Sequence, residues 1–143
     1  MEIARKLRIQ FVKHLRKRYL KNATLDPRVP SELLEHLEPA ECVIVEVISR
    51  KDGRYFFTDR RIFLLRQSTT PQFCRYDKIL HTHWMSKSGL RGMTINAEES
   101  PGANFKTENY DRLVLETSSG DFVLDGLEQS YLPIFNFLRW INR

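Results

Sequence analysis

Three basic residues surround a glycine in the segment Arg50-Lys51-Asp52-Gly53-Arg54, which joins two predicted strands. Guanidinium and ammonium groups placed around a tight turn can donate several hydrogen bonds to one phosphate or carboxylate. Arg50, Lys51 and Arg54 are therefore the candidates for an anion-binding or lipid-binding site. The alternative is a solvated hairpin loop, in which the charges only keep the edge of a sheet soluble.

A second concentration of charge lies at the beginning of the chain. Residues 1–22 carry a net charge of +7, against +5 for the whole chain, so the remaining residues are slightly acidic. Such an asymmetry is typical of an arm that meets nucleic acid, anionic lipid or an acidic protein surface. The basic side chains expected to make these contacts are Arg5, Lys6, Lys13, Arg16 and Lys17.

The same segment also has apolar residues at helical spacing. Ile3, Leu7, Phe11, Leu15 and Tyr19 recur at every fourth position, which predicts an amphipathic helix ending near residue 22. Docking of this apolar stripe on the rest of the protein is the favoured interpretation. Contact with a membrane or with nucleic acid through the basic face is the alternative.

Other combinations of reactive side chains are weaker. His81 and His83 alternate along one strand, and Cys74 precedes them, but this spacing matches no established zinc pattern. Glu98 and Glu99 are adjacent in a loop, whereas paired catalytic acids usually come from separate elements. No nucleophile motif or glycine-rich phosphate loop is present. We expect no metal, no cofactor and no catalysis.

The elements that must position these residues are mostly short strands. About seven β-branched or aromatic segments follow residue 41, with tight connections and no helices between them, which predicts an antiparallel barrel or sandwich. A short helix is expected near residue 31, and an apolar helix closes the chain, with the first helix as its second cover. Residues 87–111 hold half of the six glycines and form a long irregular insert, within which residues 93–97 are a strand candidate.

Size and composition favour one intracellular domain. The chain has 143 residues, two cysteines and no apolar run long enough to span a bilayer. It begins without a secretory signal pattern. We expect a cytoplasmic location, with the inner membrane face as the place of any peripheral contact.

The order of the motifs resembles bacterial pleckstrin-homology-like domains over about residues 32–142. The segment "GRYFFTDRRIFLL" is similar to their most characteristic stretch, and "LEPAECVIVEV", "RYDKI" and "LVLETSSGDFVL" resemble their opening strand, middle step and closing hairpin. Ala40 departs from the usual glycine, and the insert is longer than the pattern. In this comparison Thr58-Asp59-Arg60-Arg61 is the corner between two strands, where Arg61 pairs with Asp59 or with another carboxylate.

The resemblance implies an α+β domain, a strongly bent antiparallel barrel of about seven strands capped by a carboxy-terminal helix. The expected division is 1–31 for the basic helix and linker and 32–143 for the domain. The superfold mostly binds lipids, peptides or proteins. The sequence therefore predicts a non-enzymatic binding or adaptor module for a protein partner or an anionic membrane surface. A nucleic-acid-associated protein is the first alternative, and an enzyme is the second.

Overall fold

The computed structural model describes residues 2–16, 22–51, 53–67, 69–86, 91–95, 110–127 and 130–141. These ranges contain three α-helices, α1 (Glu2–Arg16), α2 (Ser31–Leu34) and α3 (Tyr131–Ile141). Their strands are β1 (Ala23–Leu25), β2 (Val43–Ile48), β3 (Arg54–Thr58), β4 (Arg61–Leu65), β5 (Gln72–Arg75), β6 (Ile79–Ser86), β7 (Arg91–Ile95), β8 (Tyr110–Thr117) and β9 (Gly120–Asp125). The predicted α+β class is confirmed.

The strands form two antiparallel sheets. The first has the order β1-β2-β3-β4-β5 and the second the order β7-β6-β8-β9. The seven segments predicted as strands correspond to β2 to β6, β8 and β9, and β7 overlaps the strand candidate at residues 93–97. β1 was not predicted, because a three-residue strand beside Pro27 has no detectable alternation of its own.

The expected strongly bent barrel is not confirmed, because no strand pairing in the described ranges joins the two sheets. Loop and side-chain hydrogen bonds connect them where β2 and β9 end. The amide of Arg50 donates to the carbonyl of Gly126 at 2.8 Å, and the Ser49 hydroxyl donates to the carbonyl of Asp125 at 2.7 Å. The Tyr55 hydroxyl also donates to the Val123 carbonyl and accepts from the Asp125 amide, both at 3.0 Å.

The main hydrophobic core lies between the sheets and α3. Alternate residues of β2, β3 and β4 point into it, because side chains alternate along a strand. α3 contributes six buried residues, which fits its apolar sequence. The packed strand residues include Val45, Val47, Tyr55, Phe57, Ile62 and Leu64.

Helix α1 packs against the same core, in contact with α3 and β2. Leu7 and Phe11 are fully buried, and the rings of Phe11 and Phe57 lie 6.2 Å apart. The ammonium group of Lys6 lies 5.5 Å from the ring centre of Trp140 on α3. The described part of the predicted apolar stripe is thus a docking face, and α1 covers α3 as expected.

A smaller cluster covers the outer face of the first sheet. Leu33 on α2 is fully buried against Phe56, Phe63 and Leu65. Helix α2 therefore divides this face into two ends. We call them the network end, at the β3–β4 corner, and the groove end, where β2 and β4 finish.

Some residues for which the sequence makes predictions lie outside the described ranges. Lys17, a predicted contact residue of the basic helix, is one of them. The insert predicted at 87–111 is described only at β7 and at the first residues of β8, so Glu98 and Glu99 are also outside.

Candidate functional site

An open groove of about 920 Å³ lies at the groove end of the first sheet. α2 contributes to its lining, as do the β2–β3 turn and the segment that follows β4. These two turns meet because β2, β3 and β4 are antiparallel, with Ile48 opposite Arg54 and Arg54 opposite Leu65. Arg50, Lys51 and Arg54 all line the groove, so the structure brings the three candidate anion ligands together.

Two glycines allow the β2–β3 turn to sit closely against its neighbours. Gly53 has a φ of +97°, and a Cβ there would lie 3.0 Å from the carbonyl of Leu65. Gly126 has a φ of +68°, and a Cβ there would lie 2.6 Å from the Ser49 hydroxyl. Both positions favour glycine, because other residues strain in the left-handed region.

Two backbone amides of this turn are already used. The Arg50 amide donates to Gly126, and the Lys51 amide donates to the Ser49 hydroxyl at 3.2 Å. These two N–H groups are therefore not available to an anion in the groove.

Two of the three predicted ligands also have carboxylate partners. Arg54 donates to Glu46 at 3.1 Å, and its guanidinium carbon lies 5.4 Å from the ring centre of Phe56. The ammonium nitrogen of Lys51 lies 3.5 Å from Asp125. These pairs reduce the net positive charge that the turn presents to a ligand.

The groove contains charged residues that the sequence did not single out. Arg66 and Gln67 follow β4, and Glu32, Glu35 and His36 belong to α2 or follow it directly. Local sequence carries no signal for Glu32, Glu35 and His36, because the packing of Leu33 on the sheet brings them to the groove. The groove is therefore lined by charges of both signs.

The described basic side chains of α1 lie in different surroundings. Arg5 is exposed, Lys6 lies over Trp140, and Arg8 pairs with Asp26. Lys13 and Arg16 lie within α1. Leu7 and Phe11 of the apolar stripe are buried in the core, so these two side chains are not available to enter a membrane in this structure.

The network end holds the Thr58-Asp59-Arg60-Arg61 corner. The Arg61 guanidinium binds both carboxylate oxygens of Glu41, at 3.0 and 2.8 Å, and also the carbonyl of His36 at 2.9 Å. The two side chains are only 6% and 0% exposed. Arg61 was expected to pair with Asp59 or with another carboxylate, and the partner is Glu41, twenty residues earlier.

Neighbouring groups complete this network. The Thr58 hydroxyl donates to Glu41 at 2.7 Å and accepts the amides of Arg60 and Arg61. Glu38 accepts from Arg60 at 3.0 Å and from Arg75 at 2.9 Å. Among the described residues of this corner, Arg60, Arg61 and Arg75 thus all have carboxylate partners.

The carboxylates of the network are held in their ionised form. Hydrogen bonds from Arg75 and Arg60 lower the pKa of Glu38 from 4.5 to about 2. Burial alone would raise the pKa of Glu41, but hydrogen bonds from Arg61, the Glu38 amide and Thr58 outweigh burial and lower it. Complete burial raises the pKa of Tyr76, whose hydroxyl donates to the Thr58 carbonyl.

The histidines do not form a metal site in the described part of the chain. The His81 and His83 rings lie 6.2 Å apart, but His83 is buried and lies 2.9 Å from Glu116. Cys74 is buried on β5 of the other sheet, where burial raises the pKa of its thiol to about 11. No group of three possible metal ligands occurs among the residues described.

A comparison of the chain with protein-family models, curated proteins and solved structures finds no match. No helix in the described ranges is both long enough and apolar enough to cross a membrane.

Proposed function

We propose that this chain is a non-enzymatic binding module of the pleckstrin-homology-like type, which recognises a protein partner at the groove. Support for the fold comes from the order of elements. β2 to β5 are four successive antiparallel strands, and β6, β8, β9 and α3 follow in the order that the resemblance implies, with β1 and β7 as additions.

One observation carries the functional part of the proposal. The groove is open, and its lining combines the apolar residues Ile48, Leu65 and Pro71 with cations and carboxylates. Protein interfaces typically combine an apolar centre with a polar and charged rim. Ile48 is 50% exposed, although it lies at the end of a strand within the sheet. A protein partner would cover it.

A membrane surface is less well supported as the partner. Glu32 and Glu35 line the groove and would repel anionic head groups. Lys51 and Arg54 have carboxylate partners, and Leu7 and Phe11 of the apolar stripe of α1 are buried. The same arrangement gives little support to nucleic-acid binding, which needs several cations free to contact phosphates.

Site-specific photo-crosslinking tests the proposal. A photo-crosslinking amino acid replaces Gln67 in the groove, and the control carries it at Asp121, which is exposed on the β8–β9 hairpin of the other sheet. In cells that naturally produce the protein, we expect a discrete protein adduct at position 67 and none at position 121. Mass spectrometry of the adduct identifies the partner.

Equal adducts at both positions, or none at position 67, would contradict the proposal. Sedimentation with vesicles of phosphatidylglycerol and phosphatidylcholine separates the membrane alternative. Strong binding that is lost in Arg5→Glu would indicate a lipid surface as the partner. A salt series on duplex DNA checks the nucleic-acid alternative, for which a steep logarithmic slope is expected.

A further inference from the structure

The groove contains two charged side chains of opposite sign that have no partner in the described residues. Arg66 is exposed at the end of β4, next to Gly53. Glu32 is exposed on α2. Both line the groove, and one comes from the strand end while the other comes from the helix above the sheet. They are available for charges that another molecule brings.

Other charged residues of the groove follow the same separation, with carboxylates on the α2 side and cations on the strand side. Glu35, like Glu32, lies on the α2 side, and its side chain is strongly exposed. Its Oε1 atom lies 3.6 Å from Nε2 of His36. On the strand side, Arg54 and Lys51 lie within reach of Glu46 and Asp125. Arg66 is therefore better placed than Lys51 and Arg54 to bind a carboxylate of another molecule, because those two cations already have carboxylate partners.

The groove lining also contains the apolar residues Ile48, Leu65 and Pro71, and Arg54 lies between Ile48 and Leu65 across the sheet. Ile48 offers the largest exposed apolar area of the three. Burial of apolar surface on binding would contribute to affinity, against the costs of association. The charges then fix the direction in which a segment lies.

We propose that the groove accepts a bipolar protein segment. An acidic side chain of the segment pairs with Arg66, a basic side chain pairs with Glu32 and Glu35, and an apolar side chain covers Ile48. This inference rests on the proposed function and adds the chemistry of the partner. A lipid head group or a nucleic acid would bring phosphates to both sides, and the carboxylates on α2 would repel them.

Peptide display on the full chain tests the charge pattern. A library of random linear peptides is selected on the wild-type protein, on Arg66→Glu and on Glu32→Lys. We expect wild-type peptides with an acidic, a basic and an apolar position. Selection on Arg66→Glu should remove the acidic preference, and selection on Glu32→Lys should remove the basic preference.

A peptide selected on the wild type should bind each of these variants about tenfold more weakly, because reversal replaces an attraction by a repulsion. Lys78→Glu is the matched control. Lys78 is an exposed cation outside the groove, and its reversal should leave binding unchanged. Fluorescence anisotropy of the labelled peptide gives the dissociation constants, and circular dichroism checks that each variant is folded.

Selection of uniformly acidic peptides, or of no peptide that responds to both reversals, would overturn the bipolar inference. The photo-crosslink at position 67 is independent of this result. An adduct at position 67 together with uniformly acidic peptides would leave protein binding in place and remove only the charge pattern. Absence of that adduct would remove the proposed function itself.

Discussion

The two ends of one sheet face use the same residue types for different purposes. At the network end, Arg61 and Glu41 are buried together, and their hydrogen-bonding capacity is largely used within the chain. At the groove end, Arg66 and Glu32 are exposed and have no partner in the described residues. A cluster of arginine and glutamate therefore indicates a binding site only where folding leaves its charges without partners.

The largest effect is expected from removing a cation at the network end. Arg61→Met leaves the Glu41 carboxylate buried without its main partner, which should lower the free energy of unfolding by about 3–5 kcal/mol. Arg66→Met, the same change at the groove end, should alter it by less than about 0.5 kcal/mol. Urea denaturation followed by circular dichroism measures both. Similar losses in the two variants would remove the distinction between the ends.

A second prediction concerns the residue that separates the two ends. Leu33 is fully buried and Leu34 beside it is 55% exposed. Leu33→Ala should cost about 2–5 kcal/mol, because it leaves a cavity beneath α2. Leu34→Ala should cost less than about 0.5 kcal/mol. Chemical denaturation of the two variants measures this difference. Equal effects would contradict the packing of Leu33 against the first sheet.

A third prediction tests the close packing of the turn at the groove end. Gly126→Ala combines a strained φ with a Cβ only 2.6 Å from the Ser49 hydroxyl, so a loss of about 1–3 kcal/mol is expected. Gly120→Ala is the control, since its φ is also positive but no atom lies within 4 Å of the added Cβ. Thermal unfolding should show the larger decrease in Tm for Gly126→Ala. The reverse order would contradict the packing described here.

The smallest effect is a dependence of stability on pH. Glu38 has a pKa of about 2 in the folded protein, below its ordinary value of 4.5. A group whose pKa is lowered by folding contributes stability above its unfolded pKa, and the contribution disappears as the pH falls from about 4.5 to about 2. The difference in stability between wild type and Glu38→Gln should therefore shrink over this range. A constant difference would show that ionised Glu38 does not stabilise the network.

Much of the fold could be predicted from the sequence, because its signals are local. The β-branched and aromatic residues of 43–48 and 54–58 predict strands, and the fourfold spacing of Leu7 and Phe11 predicts a docked helix. The candidate cations Arg50, Lys51 and Arg54 were found for the same reason, since they lie around one turn. The contacts of these three residues could not be predicted from the local sequence.

The parts that were missed depend on residues distant in the chain. Glu41 and Arg61 are twenty residues apart, and Glu32 and Arg66 share a groove only because Leu33 packs on the first sheet. Strand β1 exists because β2 offers it an edge, with Leu25 opposite Val45. No local propensity specifies such long-range partners, so the chain's free charges could be identified only after the fold was known.

The hydroxyl of Tyr55 has a consequence for self-association. β9 is an edge strand of its sheet in the described ranges, and exposed edges can pair with the same edge of another molecule. Tyr55 already occupies the carbonyl of Val123 and the amide of Asp125, two groups that an incoming strand would need. One side chain from the neighbouring sheet thus makes two backbone groups of this edge unavailable to an incoming strand.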